Sequence, residues 1–256
     1  MKEGQKLWTR EELIVAMNLY CKIPFGKMHQ SNPLVVHLAK LIGRTPGAIA
    51  YKLVNLASLD PSLKARGIKG ASNASKLDKI IWNEFYNNWD KLPFESEILR
   101  SRFENKSIEE LNNIQTDELP LGKTREQVVK VRVNQSFFRS SILASYDNTC
   151  CITGLKQREL LIAGHIKPWS VDEKNRMNPR NGIAINSLHD RAFETGLITI
   201  TPDYRIKVSK TLYNQKKSIC LDKYFFQYDK KEMILPSKFL PDIEFLKHHN
   251  KNTFRE

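Results

Sequence analysis

Between Cys150 and Glu194 the chain sets out a histidine closing an apolar run, an asparagine in an Asn-Gly turn, and a histidine on a later segment. The residues are Cys150-Cys-Ile-Thr-Gly154, Ala163-Gly-His-Ile-Lys-Pro-Trp169, Asn178-Pro-Arg-Asn-Gly182 and His189-Asp-Arg-Ala-Phe-Glu194. This order restricts the local fold. Cys150–Gly154 reads as a first strand and turn, and 159–163 as its apolar return strand, delivering His165 at the end. Pro168 stops the strand because it cannot donate to a ladder. Residues 170–182 read as a polar loop, and Ile183–Phe193 as a helix carrying His189. Leu197–Ile200 and Arg205–Val208 then form a second hairpin around a Thr-Pro-Asp-Tyr turn.

Metal-assisted phosphodiester cleavage uses this supply of groups: one imidazole to activate water, another to hold a cation, and an amide to fix the turn between them. The stretch resembles the HNH endonucleases, in particular their restriction-like branch. The resemblance runs from about Arg125 through Arg132-Val-Asn-Gln-Ser-Phe-Phe-Arg139 to the tail Leu235–His248, and more loosely through the N-terminal region. It implies a ββα-metal unit with His165 as general base, Asn181 tying the loop, and His189 as metal ligand. The implied cofactor is one divalent cation, Mg²⁺ with Mn²⁺ as the alternative, and the implied products are a 5′ phosphate and a 3′ hydroxyl. Many HNH nucleases carry an aspartate just before the base, where this chain has Gly164. Asp190, with Glu194 one turn on, is the candidate to supply the missing oxygen.

Net charge is +13, from 41 basic and 28 acidic residues. Residues 1–90 are net +6, 91–120 net −3 and 121–256 net +10. Two basic ends around an acidic middle suit a polyanionic partner, although charge alone fits RNA, anionic lipid or mere solubility as well; the resemblance implies duplex DNA. No run of about 18 apolar residues exists, so no membrane span is expected. The opening Met-Lys-Glu-Gly-Gln-Lys lacks an apolar signal core, which points to a cytoplasmic protein. Four cysteines form no Cys-x-x-Cys pair, arguing against a zinc ribbon and for reduced thiols. If Cys150 and Cys151 lie in a strand, at most one faces the core.

The N-terminal third carries three helix starts. Thr9 with Glu12 makes a capping box, Asn32-Pro33 a second start, and Thr45-Pro46 a third after the stop at Gly43. Leu34, Val35, Leu38 and Ile42 form the expected buried stripe of the second helix; Ile49, Leu53 and Leu56 form that of the third. The pattern describes a helix-turn-helix bundle, and Trp8-Thr-Arg-Glu-Glu12 is similar to the Myb/SANT class. On that reading Arg44, Tyr51, Lys52 and Asn55 face the major groove, and Lys64, Arg66, Lys69, Lys76 and Lys79 track phosphates. Ile80–Leu92 reads as a further helix ended by Pro93, its aromatics in the core. A long helix spans 124–146, with Val131, Phe138, Ile142 and Tyr146 buried and Arg132 and Arg139 available for a phosphate.

The expectation is therefore an α+β protein: a helical DNA-binding domain at 1–92, an acidic linker at 93–123 containing Leu119-Pro-Leu-Gly122, and an HNH nuclease domain at 124–256. Its activity is a restriction-like or defensive DNA endonuclease. One site cuts one strand, so double-strand cleavage calls for a homodimer or successive nicks. The rival from another class is a DNA-binding regulator with an HNH scaffold that does not cut, and RNA cleavage is a third reading.

Overall fold

The computed structural model describes residues 6–68, 71, 73–115, 122–216 and 218–256. The chain divides into two compact units, 1–140 and 141–256. Lys69 and the Leu119-Pro120-Leu121 segment lie outside the described residues.

Every regular element described in the first unit is a helix: α1 Arg10–Lys22, α2 Pro33–Leu41, α3 Pro46–Ala57, α4 Pro61–Ala65, α5 Lys76–Tyr86, α6 Leu92–Glu104, α7 Ile108–Asn112 and the larger part of α8, Arg125–Ser145. The caps form as the sequence dictates. Thr9 and Glu12 close a reciprocal box, and Asn32 and Thr45 cap α2 and α3 ahead of Pro33 and Pro46. Gly43, at φ +65°, makes the left-handed turn between those two helices. α1 is the central element, packed against α3, α5 and α6. Tyr20, Trp82, Tyr86 and Trp89 join edge to face and in a stack around it.

Several expectations change here. The helix expected over Ile80–Leu92 starts at the Ser75 cap and ends at Tyr86; Pro93 opens the next helix, where its missing N–H costs nothing. The stretch 93–123, expected as a linker, supplies α6, which packs on α1, and α7; the boundary between units falls at 140. Glu97 explains part of this. Though acidic, it is buried and bonded to Lys22, Arg100 and Asn112, at 3.3, 2.8 and 3.1 Å. Leu34 and Val131, placed on buried stripes, are instead exposed, while Val129 and Val133 face the core of their helix.

The groove-facing set on α3 is corrected too. Lys52 is buried, with its ammonium 2.8 and 2.9 Å from the two oxygens of buried Asp78. Asn55 is also buried. The Arg44 guanidinium is held by Glu12 at 2.6 Å and by the Leu7 carbonyl at 2.7 Å, stacked over Trp8. These side chains brace the bundle in place of standing on its outer surface. Tyr51 alone of the four is exposed. Arg132 is exposed and Arg139 half-buried.

The second unit builds two hairpins and a helix between them. β1, Leu161–His165, pairs antiparallel with β2, Gly182–Asn186, in the register Leu161↔Asn186 to His165↔Gly182. α9, Ser187–Glu194, packs over both strands and over β3, Ile198–Ile200, which pairs with β4, Ile206–Val208. α10, Lys210–Tyr213, α11, Ile219–Tyr224, and α12, Ile243–Asn252, complete the unit. Cys150–Gly154 is a turn and not a strand, so the partner of β1 comes from the apolar run after Asn181, and the helix begins only at Ser187. Both Cys150 and Cys151 are buried. The Cys150 sulfur accepts from the Asn186 amide at 3.3 Å, and Cys151 bonds β2 through Ala184. Gly196 ends α9 at φ +72°, where a Cβ would collide with the Thr253 carbonyl, so no other residue fits.

Candidate active site

His165 is the last residue of β1, and its placement is fixed from the loop that follows. Its Nε2–H donates to the Arg176 carbonyl at 2.9 Å, which leaves the lone pair of the neutral ring on Nδ1. Burial holds the imidazole below its usual pKa, against the opposing pull of that carbonyl. Trp169 stands edge-on to the ring at 5.7 Å. Arg176 in turn covers Trp169 and donates to its carbonyl at 2.9 Å, so the loop closes on itself beside His165.

Asn181 is 1% exposed and joins both sides of the loop. Its Oδ1 accepts from the Lys167 amide at 2.8 Å, and its Nδ2 donates to the carbonyls of Lys167 and Asn175 at 3.1 and 3.2 Å. The Asn181 carbonyl accepts from Ile166. Through its side chain and its carbonyl together, one residue thereby fixes the two residues after His165. A second tie comes from the tail: Asp242 pairs with Arg180 at 2.9 Å, and its amide bonds the Arg180 carbonyl.

Asp190 is brought to the same strand from α9. A Cβ built on Gly164 would lie 2.7 Å from Asp190 Oδ1. The carboxylate therefore occupies the space that a side chain before His165 would fill. Burial first, and the charge of Glu194 second, push its pKa up to about 6. It has no cationic partner among the described residues. Glu194 is exposed and pairs with Arg191 at 3.5 Å.

His189 is placed otherwise. Its ring is 2% exposed, and both nitrogens are engaged. Nε2 donates to the Tyr224 carbonyl at 2.6 Å, and Nδ1 accepts from Asn186 Nδ2 at 2.8 Å. Phe225 and Tyr228 lie against the ring. Asn186 sits at the far end of β2 from Gly182, the partner of His165, which at about 3.3 Å per residue is roughly 13 Å along the strand. His189 lines a groove of about 840 Å³ with Leu160, Leu188 and Tyr224, and His165 does not line it. The structure thus sets Asp190 against Gly164, the residue before His165, and Asn181 against the two residues after it, and turns His189 toward the segment after α11.

The donors fit a divalent cation in part. Asp190 offers a buried oxygen without a counter-charge, as a hard cation prefers. His189, as it stands, has no lone pair to give, and among the described residues no three His, Cys, Asp or Glu side chains converge on a metal position. Sequence reasoning missed Asn186, the N-cap of α9 and the partner of His189, although an Asn before a helix is a start signal. It also missed Tyr224, which approaches from 35 residues away and leaves no local signal.

No helix among the described residues is long and apolar enough to cross a membrane. Comparison with curated proteins gave no match. Over residues 150–201 the chain matches a protein-family model described as HNH endonuclease, a span that opens at the Cys150 turn, takes in β1, β2 and α9, and ends just past β3.

Proposed function

We propose that the chain is a metal-dependent DNA endonuclease, restriction-like or otherwise defensive, with His165 as general base. The observation that carries this reading is the Asp190 carboxylate lying against Gly164, the residue before His165, while Asn181 ties the two residues after it. His165 Nδ1 takes a proton from water. The resulting hydroxide attacks phosphorus, the P–O3′ bond breaks, the departing O3′ takes a proton from solvent water, and the strand ends as a 3′ hydroxyl and a 5′ phosphate. Asn181 keeps the base aimed by locking the backbone at Ile166 and Lys167. A divalent cation at Asp190, with Mg²⁺ the expected ion and Mn²⁺ the alternative, would supply positive charge at the scissile phosphate. His189 is the second candidate ligand, on condition that its ring leaves Asn186 and Tyr224. Duplex DNA is the proposed substrate, with Arg132 and Arg139 as candidate phosphate contacts, and a homodimer is the proposed means of cutting both strands.

The test is supercoiled plasmid with Mg²⁺ or Mn²⁺. Wild type should nick it, and His165→Ala or a chelator should abolish nicking; equal cleavage by the variant overturns the base assignment. A second reading, a DNA-binding scaffold that does not cut, draws support from the engaged His189. Salt-dependent DNA binding with no metal-dependent nicking would favour it.

A further inference from the structure

The first unit holds a groove that the nuclease reading does not use. Its volume is about 1170 Å³, and it lies between the residues ahead of α1, the N-terminal half of α3 and the segment that caps α5. The floor is polar and buried, formed by Lys52 on Asp78, with the ammonium 4.9 Å from the Trp8 ring centroid. Among the described residues, two groups on lining side chains lack partners. Asn55 is 2% exposed, yet its Oδ1 accepts from nothing. Arg44 donates through both terminal nitrogens, while its Nε is buried without an acceptor. Buried donors and acceptors are nearly always met in folded proteins, so this unmet pair points to something bound.

The remaining lining narrows the ligand. Tyr51 presents an exposed ring whose hydroxyl accepts from Asn73 Nδ2 at 3.2 Å. Lys6 and Lys76 stand exposed at the rim, beside the Thr45 cap of α3. The acids nearby are already matched: Glu12 to Arg44 and Lys6, at 2.6 and 3.1 Å, and Asp78 to Lys52. The groove is therefore cationic. An inorganic anion would leave the Asn55 acceptor unmet, and a neutral aromatic would leave the rim cations without a role.

We infer that this groove binds a nucleotide. The base lies over Asn55 and Arg44 and offers a donor to Asn55 Oδ1 and an acceptor to Arg44 Nε on condition that these covered atoms turn toward it, Tyr51 covers the ring face, and the phosphate meets Lys6 and Lys76. A free mononucleotide and a base turned out of a DNA strand present the same chemistry, whereas a closed duplex hides the edge. Nothing in this assignment depends on His165.

The test titrates the full chain by calorimetry with each 2′-deoxynucleoside 5′-monophosphate, a short single-stranded oligonucleotide, the matching duplex, and 2-deoxyribose 5-phosphate. At least one nucleotide or the single strand should bind saturably and at least about 10-fold tighter than the base-free sugar phosphate. Tyr51→Ala and Asn55→Leu should each weaken it by about 10-fold or more, the scale of losing base stacking on an aromatic ring. Tyr51 is exposed, and Asn55→Leu removes an unmet polar group, so both variants should keep the melting temperature of the wild type or exceed it. A mononucleotide that binds as tightly as the strand identifies a free nucleotide as the ligand; a tighter strand identifies a base within DNA. No saturable binding by any nucleotide, equal binding of the sugar phosphate, or unchanged affinity in both variants overturns the assignment. Plasmid nicking reads the second unit, so the two proposals fail separately.

Discussion

Asp190 and Gly164 are complementary: the carboxylate on α9 stands 2.7 Å from where a Cβ at 164 would be. Gly164→Ala should therefore push Asp190 from the strand that carries His165 and lower plasmid nicking by roughly 100-fold, the scale of a small misplacement at a reacting centre. The helical content of the variant, read by circular dichroism, should match wild type, because Ile183 at 3.8 Å is an ordinary contact and the Ile185 methyl at 3.3 Å needs to give by only a few tenths of an ångström. Unchanged nicking would separate Asp190 from the site.

Asp190→Asn should stabilise the protein while removing nicking. The carboxyl is buried, its pKa stands near 6 in place of 3.8, and no cation among the described residues offsets it. A raised carboxyl pKa means that the folded state binds more protons than the unfolded state between those values. Stability then falls as pH rises from about 4 to about 6. The two proteins should melt alike below pH 4, and the variant should exceed wild type by up to roughly 3 kcal/mol at pH 7. A variant that melts lower at pH 7 would show that the ionised carboxylate is supported by groups absent from this structure.

The first part of the chain shows which features are legible in sequence. Thr9 with Glu12, Asn32 with Pro33, and Thr45 with Pro46 act within one turn, so neighbouring residues suffice to place the start of each helix. Lys52 and Asn55 were misplaced for the opposite reason. Polar residues on a helix read as solvent-facing, and the group that draws Lys52 inward, Asp78, lies 26 residues away. The strand β2 was read as helix because Gly182–Asn186 is a short apolar run buried on both faces, for which periodicity does not discriminate.

The same division holds at the site. His165 at a strand end and Asn181 before a glycine were readable because motif and backbone coincide. The orientation of His189 was not. Asn186 and the carbonyl of Tyr224 set it, and neither belongs to the spacing of the motif.

His249 supplies a pH dependence of opposite sign to that of Asp190. Its ring stacks on Phe193 at 3.7 Å, accepts from Thr199 Oγ1 at 2.7 Å and donates to the Phe193 carbonyl at 3.0 Å. Burial lowers its pKa from 6.5 to about 4. The unfolded state therefore binds the proton first, and stability contributed by the neutral ring is complete above about pH 6.5 and lost as pH falls toward 4. The loss amounts to at most roughly 3 kcal/mol. His249→Gln, which cannot be protonated in that range, should melt lower at pH 7 and show a flatter decline between pH 6.5 and 4. An acid limb as steep as wild type would place the titrating group elsewhere.

The pH profile of cleavage follows from the environment of His165. A general base works in its unprotonated form, so the acid limb of kcat/KM marks the pKa of the base in the free enzyme. Burial of His165 favours the neutral ring and outweighs the Arg176 carbonyl, which supports the protonated one. The midpoint of the acid limb should therefore lie below 6.5, with activity flat from there to neutral pH. Asn181→Ala tests the positioning of that base. Losing the bonds to the Lys167 amide and carbonyl and to the Asn175 carbonyl frees the loop that encloses the ring, so solvent gains access. The midpoint should move upward toward 6.5 while kcat falls by roughly 10- to 100-fold. A fall in kcat with the midpoint unmoved would mean that Asn181 supports the fold without setting the environment of the base.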